Sequence, residues 1–246
     1  ESAEIFAGLA EATARLEDTD DLSALTDLSL AHARQLSPDA DAVSLAILSV
    51  ERIRGHRSSA IDAGQECAGT AECDIELAAA QLDLIALDTI IAANPERPGL
   101  ALVKLEVLLI KQDWVSVLVA AVPLLERLPE EPLIHRGLAT AAAASGDWTR
   151  ARTAAEQAAT LEPGWLDMPH LIGRLDHRIG NDPATAVARL QAVTSAAGFD
   201  RYTDRAAAWR DLAAAALEID DNDLAIKAAD AAAGLDPSDP ICRLQR

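Results

Sequence analysis

Stretches rich in Ala and Leu alternate with short polar breaks along most of the chain. One pair of such stretches lies between Pro132 and Pro163, with a break at Gly146 and a second stretch from Trp148 to Leu161. Proline cannot continue a helix and disfavours the helical conformation of the residue before it, so the second stretch ends at Pro163. Glycine permits the backbone turn in the middle. The pattern predicts a helix–turn–helix unit.

This unit repeats. Pro95, Pro129 and Pro163 lie 34 residues apart, and each follows an Ala/Leu-rich stretch. A fixed period of this length is typical of arrays of helical hairpins. We expect one all-α domain over 1–246, built from about six repeats. Their predicted bounds are 7–40, 41–97, 98–131, 132–166, 167–205 and 206–240. In the second repeat we expect helices over 43–54 and 74–93, separated by an insert at 55–73.

Composition agrees with closely packed helices. Half of the residues are hydrophobic but only 3% are aromatic, so most of the apolar content is Ala and Leu. The net charge of −19 would repel phosphate backbones, which argues against a nucleic-acid partner. No apolar run approaches the ~18–20 residues that span a bilayer, and we expect no direct membrane span. The alternatives for the acidity are a solvated surface, a basic partner or a salt-adapted source.

The unit at 132–166 resembles the tetratricopeptide repeat. Small or apolar residues stand at the family's packing positions, and the last unit repeats much of the pattern. The matching residues are Leu138, Ala139, Gly146, Trp148, Ala151, Ala158 and Pro163, and then Trp209, Leu212, Ala213, Ala225, Ala232 and Pro237. The resemblance is clearest over 98–240 and implies a right-handed α-α superhelix that binds a protein or peptide in its concave groove.

In the family, fixed positions of each repeat line the groove, and the residues at those positions in this sequence form the predicted binding surface. They are Leu102, Glu106, Leu109 and Ile110 in the repeat at 98–131, Arg136 and Thr140 in the next, Leu171, Leu175 and Arg178 in the repeat at 167–205, and Arg210 and Leu217 in the last. Three arginines on an otherwise acidic chain suggest a helix or extended peptide with apolar anchors and a carboxylate or two. Alternatively, these arginines pair with Asp or Glu of adjacent repeats. The Lys–Asn–Arg clamp of the chaperone-tail-binding members is missing.

Two of the three cysteines, Cys67 and Cys73, flank a short loop, whereas Cys242 stands alone. The close pair can form a disulfide, which would place the chain in an oxidising compartment; two free thiols in a cytosolic loop are the alternative. We expect an extracytoplasmic location, slightly favoured over the cytoplasm.

No catalytic, cofactor or metal motif is recognisable, so we expect neither an enzyme nor a bound cofactor or metal. His170 and His177 are interpreted as partly buried helix residues. The acidic run from Asp220 to Asp223 is interpreted as a turn that caps a helix rather than a calcium loop.

The predicted function is a non-enzymatic scaffold within a bacterial multiprotein assembly. The alternative is a regulatory or targeting module of a longer enzyme or regulator. A chain that begins at Glu1 suggests a removed leader or a fragment. An apolar C-terminal end, with Ile241 and Leu244, could pair with a second copy.

Overall fold

The computed structural model describes residues 2–15, 20–37, 41–67, 69–180 and 182–236. Within these ranges the chain is helical, with fourteen α-helices, one short 3-10 helix and no strand. It divides into two compact units, Glu1–Lys111 and Gln112–Arg246. The division falls inside the repeat predicted at 98–131, so its two helices belong to different units.

The first unit packs its helices in series. Each odd-numbered helix contacts the even-numbered helix that follows it, up to α5 and α6, and α3, α5 and α7 also contact the preceding odd-numbered helix. The helices are α1 (Ser2–Arg15), α2 (Asp20–Leu36), α3 (Asp41–Ile53), α4 (Arg57–Glu66), α5 (Ala71–Gln81), α6 (Leu84–Ala93) and α7 (Gly99–Ile110). This serial packing buries clusters of small and branched side chains between neighbouring helices.

The second unit follows the same plan, because α9 packs on α8 and α10, α11 on α10 and α12, and α13 on α12 and α14. Its helices are α8 (Trp114–Arg127), α9 (Pro132–Ala144), α10 (Trp148–Leu161), α11 (Asp167–Arg178), α12 (Pro183–Thr194), α13 (Arg205–Glu218) and α14 (Asn222–Leu235). Small residues allow the close approach: Ala139, Ala151 and Ala158 are completely buried. A Cβ added to Gly173 would lie 2.9 Å from the side chain of Leu190.

An aspartate begins the second helix of successive hairpins. Its carboxylate accepts a hydrogen bond from a backbone N–H of the first turn, which satisfies one of the donors that a helix start leaves free. The capping residues are Asp83, Asp113, Asp147, Asp182 and Asp221. In four of these turns the preceding residue has a positive φ: Leu82, Gln112, Gly146 and Asp220. The acidic run at 220–223 is therefore a helix-capping turn, as predicted.

The structure differs from the sequence-based prediction in the second repeat. Residues 57–66 of the predicted insert form helix α4, and the single helix predicted over 74–93 is two helices that meet at Leu82 and Asp83. The region therefore holds two helix pairs instead of one opened repeat. Leu82 adopts a left-handed conformation with φ 58°, which is uncommon for a residue other than glycine and conceals the break from sequence analysis.

An extra segment precedes α13. It forms a 3-10 helix, Phe199–Arg201, and places Phe199 and Tyr202 against Trp209, Val193 and Leu166. Phe199 and Trp209 meet edge to face, with ring centroids 5.9 Å apart. The segment adds an aromatic cluster to the packing of α11, α12 and α13. The C-terminal residues from Pro237 onward, including Ile241, Cys242 and Leu244, lie outside the described residues, and so does the predicted oligomer contact.

Candidate binding surface

Helix α11 carries a row of polar side chains spaced at i, i+3, i+7 and i+10. These are Asp167, His170, Arg174 and His177. With 3.6 residues per turn, this spacing places them along one side of the helix. Each makes a contact with α9 or α13. The first helices of the hairpins in this unit are therefore joined by polar contacts along one face.

Arg136 on α9 is held from two sides. Its Nε donates a hydrogen bond of 2.6 Å to Oδ2 of Asp167, and its guanidinium carbon lies 4.9 Å from the ring centroid of Trp165. The side chain is nevertheless 40% exposed. Within the described part of the chain its two Nη nitrogens have no hydrogen-bond acceptor. The result is a partly exposed guanidinium group that two contacts hold in one orientation.

Arg174 and Asp211 form the next contact, between α11 and α13. The Nε of Arg174 lies 3.4 Å from Oδ2 of Asp211, and this buried nitrogen makes no hydrogen bond to the residues described. The same carboxylate oxygen receives a 2.9 Å contact from Nε2 of His170. The Arg174 side chain is 40% exposed. A second, half-buried guanidinium group therefore lies on this face, and its buried Nε has no hydrogen-bond acceptor among the described residues.

His170 is buried and connects Asp211 to the phenol of Tyr202, which lies 2.8 Å from Nδ1. The order Tyr–His–Asp resembles that of a catalytic triad. However, burial, reinforced by the charges of Asp204 and Asp167, raises the pKa of Tyr202, and the two arginines offset this only in part. The phenol stays protonated and is a poor nucleophile. The two contacts hold the His170 ring between Tyr202 and Asp211.

The predicted groove residues of this unit are placed unevenly. Arg178 and Leu217 are exposed, Thr140 and Arg210 are half-buried, and Arg210 has a contact of its own. Leu175 is only 3% exposed and packs with Ala142 and Ala151, and Leu171 packs against the same cluster. Leu175 is therefore covered within the chain, whereas Arg174, one position before it, is half-buried and polar. The polar row on α11 was the sequence signal that could have shown this.

The alternative that the groove arginines pair with acidic residues of adjacent repeats applies to Arg136, whose Nε pairs with Asp167 of the following hairpin. The same principle operates in the first unit, where Arg52 on α3 donates to Glu76 on α5 and, over 2.6 Å, to Glu106 on α7. Burial works to lower the pKa of Arg52, but the charges of Glu76 and Glu106 outweigh it and raise that pKa. Glu106, predicted to meet a partner, is thus engaged within the chain.

The other predicted residues of the first unit lie on α7. Leu102 and Leu109 are half-buried, and Ile110 is 63% exposed. None of the described helices is long and apolar enough to cross a membrane. The described residues contain no cluster of three or more side chains suited to a metal ion. The sulfur atoms of Cys67 and Cys73 are in contact, with Cα atoms 5.9 Å apart, a separation typical of disulfides.

No protein-family model and no curated protein matches the amino-acid sequence, but the structure has the fold of tetratricopeptide-repeat solenoids. It superposes on a chain of the APC/C hetero-tetramer Cut9–Hcn1 with a TM-score of 0.66 and 15% identity, over 92% of this chain and 48% of that one. It therefore spans about half the length of that relative. A tetratricopeptide repeat protein from Parabacteroides merdae superposes with a TM-score of 0.55 and 14% identity, over 98% of this chain and 96% of that one. IFIT1, in a structure with m7Gppp-AAAA, superposes with a TM-score of 0.51 and 15% identity, over 98% of this chain and 57% of that one.

Proposed function

We propose that the chain is a non-enzymatic scaffold that binds a protein or peptide on the exposed face of α9, α11 and α13. The observation that carries the proposal is Arg136, whose guanidinium group is held by Asp167 and Trp165 while its two Nη nitrogens have no acceptor among the described residues. An arginine that is already oriented before the ligand binds loses less side-chain entropy on binding, so the entropic cost of binding is smaller. The face is built for recognition rather than for packing alone.

The chemistry of this face selects a partner segment with carboxylates. A guanidinium group pairs with a carboxylate through two parallel hydrogen bonds, and Arg136 and Arg174 offer two such groups from neighbouring hairpins. Exposed apolar side chains accompany them, among them Leu217, which is 43% exposed. We expect a helix or an extended segment that carries acidic side chains and one or two apolar anchors.

Charge supports a protein partner over a nucleic acid. The fold alone does not decide this, since the similar IFIT1 structure contains m7Gppp-AAAA. The net charge of −19 would repel a phosphate backbone, and the arginines of the face are balanced by Asp167 and Asp211 close by. A short acidic segment can be recognised by two local guanidinium groups, whereas a long polyanion would be repelled by the net negative charge of the chain.

A place in a bacterial multiprotein assembly extends this proposal, and the similar fold in the Cut9–Hcn1 hetero-tetramer supports an assembly role. The alternative is that the chain is the regulatory or targeting module of a longer enzyme or regulator. A reading frame that continues beyond Arg246 into a catalytic domain would favour that alternative. An oxidised Cys67–Cys73 pair would favour an extracytoplasmic location.

The experiment is a peptide array of acidic–apolar 15-residue sequences, followed by fluorescence anisotropy with the best binder. Losing a charge-assisted contact costs about 1.5–3 kcal/mol, so Arg136→Gln should weaken affinity roughly 10- to 150-fold. Arg174→Gln should weaken it by a similar factor. Arg150→Gln is the matched control, because Arg150 is exposed and lies on α10, which is not one of the three helices of this face. Equal loss in all three variants, or no acidic binder, would refute the proposal.

A further inference from the structure

Helix α4 has little intrinsic stability. Its ten residues include two serines and a glycine, and its N-cap residue His56 makes no side-chain capping hydrogen bond. A helix of this length is marginal on its own even with a favourable composition. The side chains it buries are small, and only Ala60, Ala63 and Gly64 are buried within it. Its order therefore depends on its attachments to the neighbouring helices.

Two attachments tie opposite ends of α4 to α5. At the start, Arg57 donates from Nε to the carbonyl of Ala80 and from Nη2 to the carbonyl of Gln81, both over 2.7 Å. At the end, Cys67 follows the last turn of α4 and meets Cys73 in the first turn of α5. Between these points the contact is close, since a Cβ on Gly64 would lie 2.7 Å from Cδ1 of Leu77.

We propose that the bond between Cys67 and Cys73 is a redox-sensitive latch that keeps α4 docked on α5, and that its reduction lets α4 open locally. Helix α5 does not depend on the latch, because Ile75, Ala78 and Ala79 pack with Leu87 and Leu100 of α6 and α7. Opening would therefore be confined to α4 and its flanks. The rest of the first unit would keep its packing.

Opening has a structural consequence at a cleft of about 360 Å³ in the first unit. Helix α4 forms one wall, and α2 and α3 form the other. The lining residues are Arg34, Ile47, Glu51, Ser59, Asp62, Ala63 and Glu66, four of which belong to α4. When α4 undocks, this wall is lost and the apolar surface of α3 that Ala60 and Ala63 cover becomes accessible. Redox state would thereby change the surface that the first unit presents.

The reducing step is thiol–disulfide exchange with a dithiol. One thiolate of the reductant attacks a sulfur of the pair, breaks the S–S bond and forms a mixed disulfide. Its second thiolate then displaces the protein sulfur, so the reductant leaves as a disulfide and both cysteines become thiols. Two electrons and two protons pass from the dithiol to the pair. Both cysteines are at most 2% exposed, so attack must wait for a local opening and reduction should be slow.

The test is hydrogen–deuterium exchange of the full chain in a Cys242→Ser background, with and without dithiothreitol. The disulfide closes a short loop and so restricts the conformations of the open state, which makes that state roughly 30-fold less populated than in the reduced protein. We expect the amides of 57–66 to exchange about 30-fold faster after reduction, while those of α9 in the second unit stay unchanged. Cys67→Ser/Cys73→Ser should show the fast exchange without reductant and should not respond to it.

Each other outcome overturns the latch. Two free thiols in the protein purified without reductant would show that the bond does not form. Unchanged exchange over 57–66 after confirmed reduction would show that α4 does not need it. Faster exchange throughout the first unit would show that the bond stabilises the whole unit and not one helix.

Arg57→Gln, which removes the other attachment, should add to the effect of reduction.

Discussion

The carboxylate of Asp176 on α11 lies 2.6 Å from Nη1 of Arg152 on α10. Its other oxygen accepts a 3.0 Å hydrogen bond from Nε of Arg189 on α12. The Asp176 side chain is only 3% exposed, so this buried charge is compensated by two arginines from neighbouring helices. The contact joins three consecutive helices at one point, and removing the carboxylate loses both ion pairs at once.

Asp176→Asn should therefore lower the free energy of unfolding by about 1–3 kcal/mol, since both arginines are partly exposed and can recover some hydration. Urea denaturation followed by circular dichroism measures the change. Asp200→Asn, at an exposed position of the 3-10 helix, is the matched control and should change stability by less than about 0.5 kcal/mol. Equal effects of the two substitutions would contradict the role assigned to Asp176.

Tyr202 should titrate abnormally. Burial, together with the charges of Asp204 and Asp167, raises the pKa of Tyr202 above the ordinary value of 10. Because it is the only tyrosine in the sequence, absorbance at 295 nm reports it directly. We expect the native midpoint to lie above that of the denatured chain, which should be about 10.

The same shift makes stability depend on alkaline pH. With a folded-state pKa above the unfolded one, the unfolded chain releases the phenolic proton first, so this contribution is present below pH 10 and is lost as pH rises. Tyr202→Phe should reduce the loss of stability between pH 10 and 11. A native midpoint at 10, or identical alkaline profiles of the two proteins, would show that the phenol is not buried as described.

The left-handed turn residues predict opposite effects of two substitutions at equivalent positions. Gln112 has φ 54° and Gly146 has φ 79°, each one residue before a capping aspartate. Glycine adopts this conformation without the steric cost that other residues incur. Gln112→Gly should stabilise the protein by about 0.5 kcal/mol, and Gly146→Ala should destabilise it by about 1 kcal/mol. Thermal unfolding measures both, and a shared sign would contradict the turn geometry.

Much of the helical pattern could be predicted because its signals are local. Prolines after the second helix, glycine at the turn and alanines at the contact act within one hairpin, and the unit at 132–166 contains all of them. The first unit carries weaker signals. A break at Leu82 has no glycine, yet Asp83 continues the series of capping aspartates, and that series was the signal that could have located α6.

The binding face was only partly predictable. Arg136 was identified by its position in the repeat, but its pairing with Asp167 depends on a residue 31 positions away. On α11 neighbouring positions are rotated by about 100° from each other, so half-buried Arg174 and buried Leu175 have different surroundings although they are adjacent in the sequence. The importance of Tyr202 depends on the extra segment before α13, which has no counterpart in the repeat pattern.

The sequence by itself determined the class of structure, because caps, proline stops and small contact residues act over a few residues and specify helices and hairpins. Only the tertiary structure decided which charges meet. Arg52 reaches Glu76 and Glu106, 24 and 54 positions along the chain, and Asp176 reaches arginines on two other helices. Such contacts require the packing angle and rotation of every helix between them, and these are set by the fit of buried side chains across the whole unit.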